Sequence, residues 1–158
     1  MANLYLETFI HAPVERVFDL SLSIDLHKHS VSNTNEEAIA GRTSGLIGLE
    51  ETVTWRARHF GIYQHLTVKI TAWERPVMFV DVMQQGAFKS MEHTHKFEAN
   101  GSGTVMIDLF NFKAPWGWLG QCAEFLFLEK YMMYFLTQRN AVIKAIAEGD
   151  QWKEFLKE

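Results

Sequence analysis

Apolar and polar residues alternate from the start of the chain. Over Asn3 to His11, Leu4, Leu6 and Ile10 fall on one side and Tyr5 and Phe9 on the other. That spacing predicts a strand with apolar groups on both faces. Pro13 ends the strand and suits the first turn of a helix. Val14, Val17, Phe18 and Leu22 then recur at helical spacing, until Ser23-Ile24-Asp25 breaks the run. A second short helix is predicted over Ile24 to His29, ahead of a polar loop from Ser30 to Asn35.

From Glu36 to Lys113 the period changes to two. Strands are predicted at about 36–40, 49–58, 62–74, 77–83, 88–99 and 104–114. The separators are Gly41-Arg-Thr-Ser-Gly45, His59-Phe-Gly61, Glu74-Arg-Pro76, Gln84-Gln-Gly86 and Asn100-Gly-Ser-Gly103. Short polar connections of this kind favour an antiparallel meander. Pro115 and Gly117 end it, and a long helix is predicted from about 117 to 148, ~45–50 Å at 1.5 Å per residue. Gly149 suits the end of that helix, and Trp152, Phe155 and Leu156 predict a last amphipathic turn. The whole reads as an α+β fold in which a seven-stranded antiparallel sheet curves around the helix. A bent sheet and a straight rod do not fill space together, so a cavity between them is expected.

Composition narrows the function classes. At 158 residues, with no repeat, low-complexity run or linker, the chain 1–158 reads as a single domain. A net charge of -4 lacks the basic footprint of a nucleic-acid binder. The single Cys122 cannot close an intrachain disulfide, which excludes a disulfide-stapled scaffold. The N-terminal stretch reaches Glu7 without the basic start of a signal peptide. The most apolar stretch, Trp116 to Leu136, carries Glu124, Glu129 and Lys130, so no membrane span is expected and the location reads as cytoplasmic. No Gly-x-Ser-x-Gly, P-loop or Gly-x-Gly-x-x-Gly motif is present, and no cofactor is expected. One number stands out: 21 aromatic residues, with 12 Phe, 5 Trp and 4 Tyr.

Four segments carry a resemblance across nearly the whole chain: Thr54-Trp-Arg-Ala-Arg-His-Phe-Gly61, Gly86-Ala-Phe-Lys-Ser-Met-Glu-His-Thr-His-Lys-Phe97, Gly103-Thr-Val-Met-Ile-Asp108 and Ala114-Pro-Trp-Gly-Trp-Leu-Gly120. With the order of elements, they make the chain resemble the SRPBCC superfamily, also called START-like or Bet v 1-like. Within it, the chain is similar to bacterial single-domain ligand-binding members, some labelled cyclase/dehydrase-like or cell-division-inhibitor-like. The resemblance implies a helix-grip fold. It does not choose an activity, since the superfamily holds lipid carriers, hormone receptors, polyketide cyclases, oxygenase domains and cochaperone-like proteins.

Strand parity selects candidate site residues. Met91, His93, His95 and Phe97 share a face opposite the more polar Glu92, Thr94 and Lys96, so the two histidines are expected to face the helix. Over 104–114 both faces carry apolar groups, and the resemblance favours the face of Met106, Asp108, Phe110 and Phe112. Sequential strands usually pair, which would bring Asp108 near His93 or His95. Trp55, His59 and Gln64 read inward from the neighbouring strands. On the long helix, Phe125, Met132 and Phe135 complete an apolar lining.

The leading expectation is that a small hydrophobic or amphipathic molecule binds in this lining, as small-molecule sites are mostly apolar with a few polar groups. A cyclase/dehydratase-type enzyme using His93 or His95 with Asp108 is the alternative, since imidazole titrates near neutral pH. A bracing hydrogen-bond pair within a core is the plainer reading of the same histidines. His-x-His with one carboxylate also matches zinc or iron, but its third ligand rests on parity alone, so no metal is assigned. Apolar residues run almost around the long helix, more than one core-facing stripe needs. The surplus points to the ligand, to the short helices, to a homodimer partner or to another protein.

Overall fold

Ala2–Ile10 alternates as predicted and forms β1, which pairs antiparallel with β7 (Gly103–Lys113), from Ala2 against Phe112 to Ile10 against Thr104. The structure, a computed structural model, describes residues 1–157, apart from the side chains at positions 120 and 123–125. The other strands are β2 (Glu37–Gly41), β3 (Thr52–His59), β4 (Ile62–Glu74), β5 (Met78–Gln85) and β6 (Ser90–Asn100). They form one antiparallel sheet in the order β1-β7-β6-β5-β4-β3-β2. Gly103 opens β7 where an added Cβ would lie 2.6 Å from the Ile10 carbonyl oxygen, so only glycine lets β1 approach there.

Register shifts in the β4–β5 pair, at Thr67/Val68 and Ile70/Ala72, bend the sheet. β3 starts later than the alternation suggests, because Leu49 and Glu50 form a turn, with Glu50 at φ 66°. Between β1 and β2 lie α1 (Val14–Ser21) and α2 (Ile24–Ser30). The Ser23 hydroxyl caps α2 by accepting from the Leu26 N–H at 3.2 Å. α1 covers one end of the sheet, where Phe18 meets Phe79 and Phe97 edge-on.

The C-terminal region departs from the single helix expected over 117–148. It comprises α3 (Gly117–Ala123), a π-helical turn (Glu124–Leu128) and α4 (Glu129–Glu148), followed by α5 (Trp152–Phe155). The wider turn holds an extra residue and rotates what precedes it out of phase with α4. α4 buries Leu136, Arg139, Asn140, Ile143, Ile146 and Ala147 as one stripe, against β1, α1 and α2. Before the turn, Trp118, Leu119 and Cys122 are exposed. Cys122 is therefore not the small buried hydrophobe that its apolar neighbours suggest. Among the described residues no helix is long and apolar enough to cross a membrane.

Candidate functional site

A cavity of about 620 Å3 lies between the curved sheet and α4, a size usual for small-molecule sites. Ala57, Leu66, Val68 and Ile70 line it from β3 and β4, and Met132, Phe135 and Leu136 from α4. Two polar groupings interrupt this apolar surface.

The first is built on Asp108, whose side chain is fully buried. Its Oδ1 accepts from His93 Nε2 at 2.7 Å and from Arg139 Nη1 at 3.2 Å. Its Oδ2 accepts from Asn140 Nδ2 at 2.6 Å, and Asn140 also donates to Thr8 Oγ1. His95 Nδ1 approaches Asp108 Oδ1 at 3.2 Å, while His95 Nε2 bonds Asp81 Oδ1 at 2.8 Å. Arg139 Nη2 reaches His95 Nδ1 at 3.5 Å. The two imidazoles lie 3.7 Å apart between centroids, and Phe79 stacks on His95.

Local structure explains the convergence. His93 and His95 alternate along β6, so both point to one face, and His95 is the cross-strand partner of Asp108. Asp81 is the cross-strand partner of His93 on the other side. Arg139 and Asn140 arrive from the buried stripe of α4.

Burial pushes Asp108 up, but hydrogen bonds from His93 and His95 and the Arg139 charge outweigh it and hold the carboxyl well below the ordinary range. Asp81 follows the same pattern, with burial opposed by His95, His93 and Arg139. His93 is pushed down to about 4, by burial first and the adjacent His95 second, against the pull of Asp108. His93 is therefore neutral at pH 7. Its Nε2 carries the proton that the ionised Asp108 accepts, and Nδ1 keeps a lone pair. Among the described residues no hydrogen bond engages that Nδ1, and His93 lines the cavity.

The second grouping surrounds Glu36, whose Oε1 pairs with His27 Nε2 at 2.9 Å. His27 lies against Trp55. His59 Nδ1 bonds the Tyr131 hydroxyl. Burial lowers His59, and burial followed by the Glu36 charge raises Tyr131. Next to this grouping Phe60, Trp116 and Phe127 are exposed and form an aromatic rim. Trp116 is 80% exposed with φ 70°, a left-handed backbone that a bulky residue adopts only at a strained turn.

Of the residues selected from sequence, Trp55, His59, Gln64, Met91, His93, His95, Phe110, Met132 and Phe135 line this cavity. Asp108 sits behind the histidines rather than on the surface. Phe97, Met106 and Phe112 share the inward parity but lie in packed core instead of the lining. Phe97 is covered by Phe18, Met106 contacts Ser21, and Phe112 packs with Phe88 and Phe110. The side chain of Phe125 lies outside the described residues.

Solved structures share this architecture. A Thermus thermophilus protein, TTHA0849, superposes with a TM-score of 0.72 at 19% identity, covering 92% of this chain and 99% of that one. Ginseng major latex-like protein 151 from Panax ginseng gives 0.66 at 15% identity, over 94% and 98% of the two chains. Ara h 8.0201 gives 0.63 at 14%, over 90% and 97%. The chain has the helix-grip fold of these structures. No protein-family model and no curated protein sequence matches it.

Within this helix-grip frame, the polar residues that sequence reading missed are Asp81, Arg139, Asn140, Glu36 and Tyr131. Arg139 carried a usable signal, a charge in phase with Leu136 and Ile143 on an apolar helix stripe. Asp81 shares parity with Phe79 and Met83 on β5. Glu36 was expected to open the strand over about 36–40, but it precedes β2 (Glu37–Gly41), and a lone carboxylate at a strand end gave no signal.

Proposed function

We propose that the chain reversibly binds a small hydrophobic or amphipathic molecule in the cavity between sheet and α4. The supporting observation is an apolar chamber of about 620 Å3 whose wall holds a fixed polar patch around His93, His95, Asp81 and Arg139. Removal of apolar surface from water supplies affinity, at roughly 25 cal/mol per Å2 before the costs of binding. The polar patch orients the guest. His93 Nδ1 offers a lone pair and Asp81 a carboxylate, so the guest's polar end is a donor such as a hydroxyl or N–H. The carboxylates of Asp81 and Asp108 exceed the single Arg139 charge, which favours donors further.

Native mass spectrometry of the purified chain, with solvent extraction, tests the proposal. The expected result is a small molecule released on denaturation and recovered in smaller amount from Ala57→Trp, which narrows the chamber. An unliganded mass in the wild type, together with no saturable binding of apolar probes, would overturn it.

One observation favours a second reading. A neutral imidazole backed by a buried carboxylate and open to a cavity is suited to accept a proton. As a cyclase/dehydratase-type enzyme, the chain would use His93 as base and Asp108 to fix its tautomer. His93→Asn would then abolish turnover while the bound ligand and the fold persist. Loss of the fold without any turnover in the wild type would support a purely structural pair.

A further inference from the structure

The second polar grouping holds a carboxylate oxygen without a partner among the described residues. The Glu36 side chain is only 7% accessible, and its Oε1 is engaged by His27. Its Oε2 is buried with no hydrogen-bond partner among the described residues. A buried carboxylate oxygen without a donor is costly and uncommon, so a partner is called for. Glu36 belongs to the cavity wall. The terminal torsion of a glutamate is broad, so the carboxylate can turn Oε2 to a donor in the chamber, exchanging the His27 contact at Oε1 for it.

The surroundings specify the donor. Asp81, Glu36 and Arg139 are the acidic and guanidinium groups among the described lining residues, with no lysine. Arg139 is already engaged by Asp108, which leaves the histidines as the other groups among the described lining residues able to carry positive charge beside Glu36. His27 is the one that touches it, and His59 is held toward its neutral form by burial. Trp55, Phe60, Tyr131 and Phe135 place aromatic faces along the same side of the chamber. A carboxylate within aromatic walls is the chemistry that recognises an ammonium group. The two polar stations are separate: the Glu36 charge acts on His59 and Tyr131, whereas Asp108 and Asp81 act on His93.

We propose that Glu36 is the cation-recognition point of the chamber, and that the natural guest is an amphipathic amine whose ammonium group pairs with Glu36 Oε2. This rests on the ligand-binding reading above and adds the charge of the guest. An ammonium donates to Oε2, and the apolar remainder lies along the Leu66, Ile70 and Leu136 surface.

Three near-isosteric probes test it by calorimetry at pH 7: tryptamine, neutral 3-propylindole and anionic indole-3-propionate. Tryptamine is expected to bind the wild type about tenfold more tightly than 3-propylindole, the size of one charge-assisted hydrogen bond after desolvation. Indole-3-propionate is expected to be the weakest. Glu36→Gln should erase the tryptamine preference and leave 3-propylindole affinity unchanged. If the wild type binds 3-propylindole and tryptamine equally, the amine inference fails and the cavity reading stands. Retention of the preference in Glu36→Gln also overturns it. Failure of all three probes overturns it too, and the copurified-ligand measurement then decides the cavity reading separately. The wild-type order of affinities is decisive even if the variant does not fold.

Discussion

The polar wall and the aromatic rim of the same cavity are built on opposite principles. At the wall, Asp108 accepts from His93, Arg139 and Asn140, and every contributing side chain is held by at least one other. At the rim, Trp116, Phe60 and Phe127 are exposed, Trp116 has a left-handed backbone, and the adjoining helix passes through a π-helical turn. The wall is over-determined, and the rim has large apolar groups with little to fix them. A saturated network of this kind fixes orientation, because moving one member breaks several bonds in a low-dielectric setting. Exposed rings at a cavity mouth adapt to a guest. The difference assigns geometry to the wall and access to the rim.

The sharpest way to break that comparison is to remove the centre of the wall. Asp108→Ala strands the Arg139 charge and leaves His93 and Asn140 without their acceptor. Urea unfolding should show a loss of about 3–5 kcal/mol. Phe127→Ala at the exposed rim should stay within about 1 kcal/mol. Comparable losses at the two places would erase the distinction.

Acid should attack the wall next. His93 titrates at about 4 in the folded protein, below its ordinary value of 6.5. As pH falls through this window the unfolded chain takes up the proton first, so the stability from a neutral buried His93 is present above pH 6.5 and lost toward pH 4. The size is on the order of 3 kcal/mol. Asp81 and Asp108 are both held low and add a further loss as pH falls below their ordinary range. Urea midpoints between about pH 7 and 4 should decline in the wild type and flatten in His93→Gln. A flat wild-type profile would contradict the buried, neutral state.

The smallest stability effect belongs to the rim. Trp116→Ala should change stability by less than about 0.5 kcal/mol, since it removes a ring 80% exposed. It should instead speed release of a bound probe, seen in stopped-flow dissociation. An unchanged release rate would separate the rim from access.

Much of this organisation was legible in the chain. Period-two alternation placed the strands, and parity put His93 and His95 on one face because a strand leaves each side chain only two directions; for Asp108, with apolar groups on both faces of its strand, the resemblance chose the face. Parity does not say which end of a strand a helix covers. Phe97 and Met106 therefore read as lining, although α1 packs over their end of the sheet. Arg139 and Asp81 carried a phase signal that marks each as inward, but their role depends on which elements meet across the chamber, and local period carries no such information. Glu36 sits at the edge of a predicted strand, just before β2, where alternation no longer says which way a side chain points. The break between α3 and α4 also escaped the apolar pattern, because apolar residues run almost around that segment and a change of phase leaves no mark.

The central claim is that the chamber takes up a small molecule. The most direct measurement is a titration of the 15N-labelled chain with 3-propylindole, followed by amide chemical shifts. One-to-one saturable shifts at Ala57, Leu66, Ile70 and Leu136, with weaker binding in Ala57→Trp, are the expected result. No saturable shift, or shifts confined to the exposed surface, would contradict the claim.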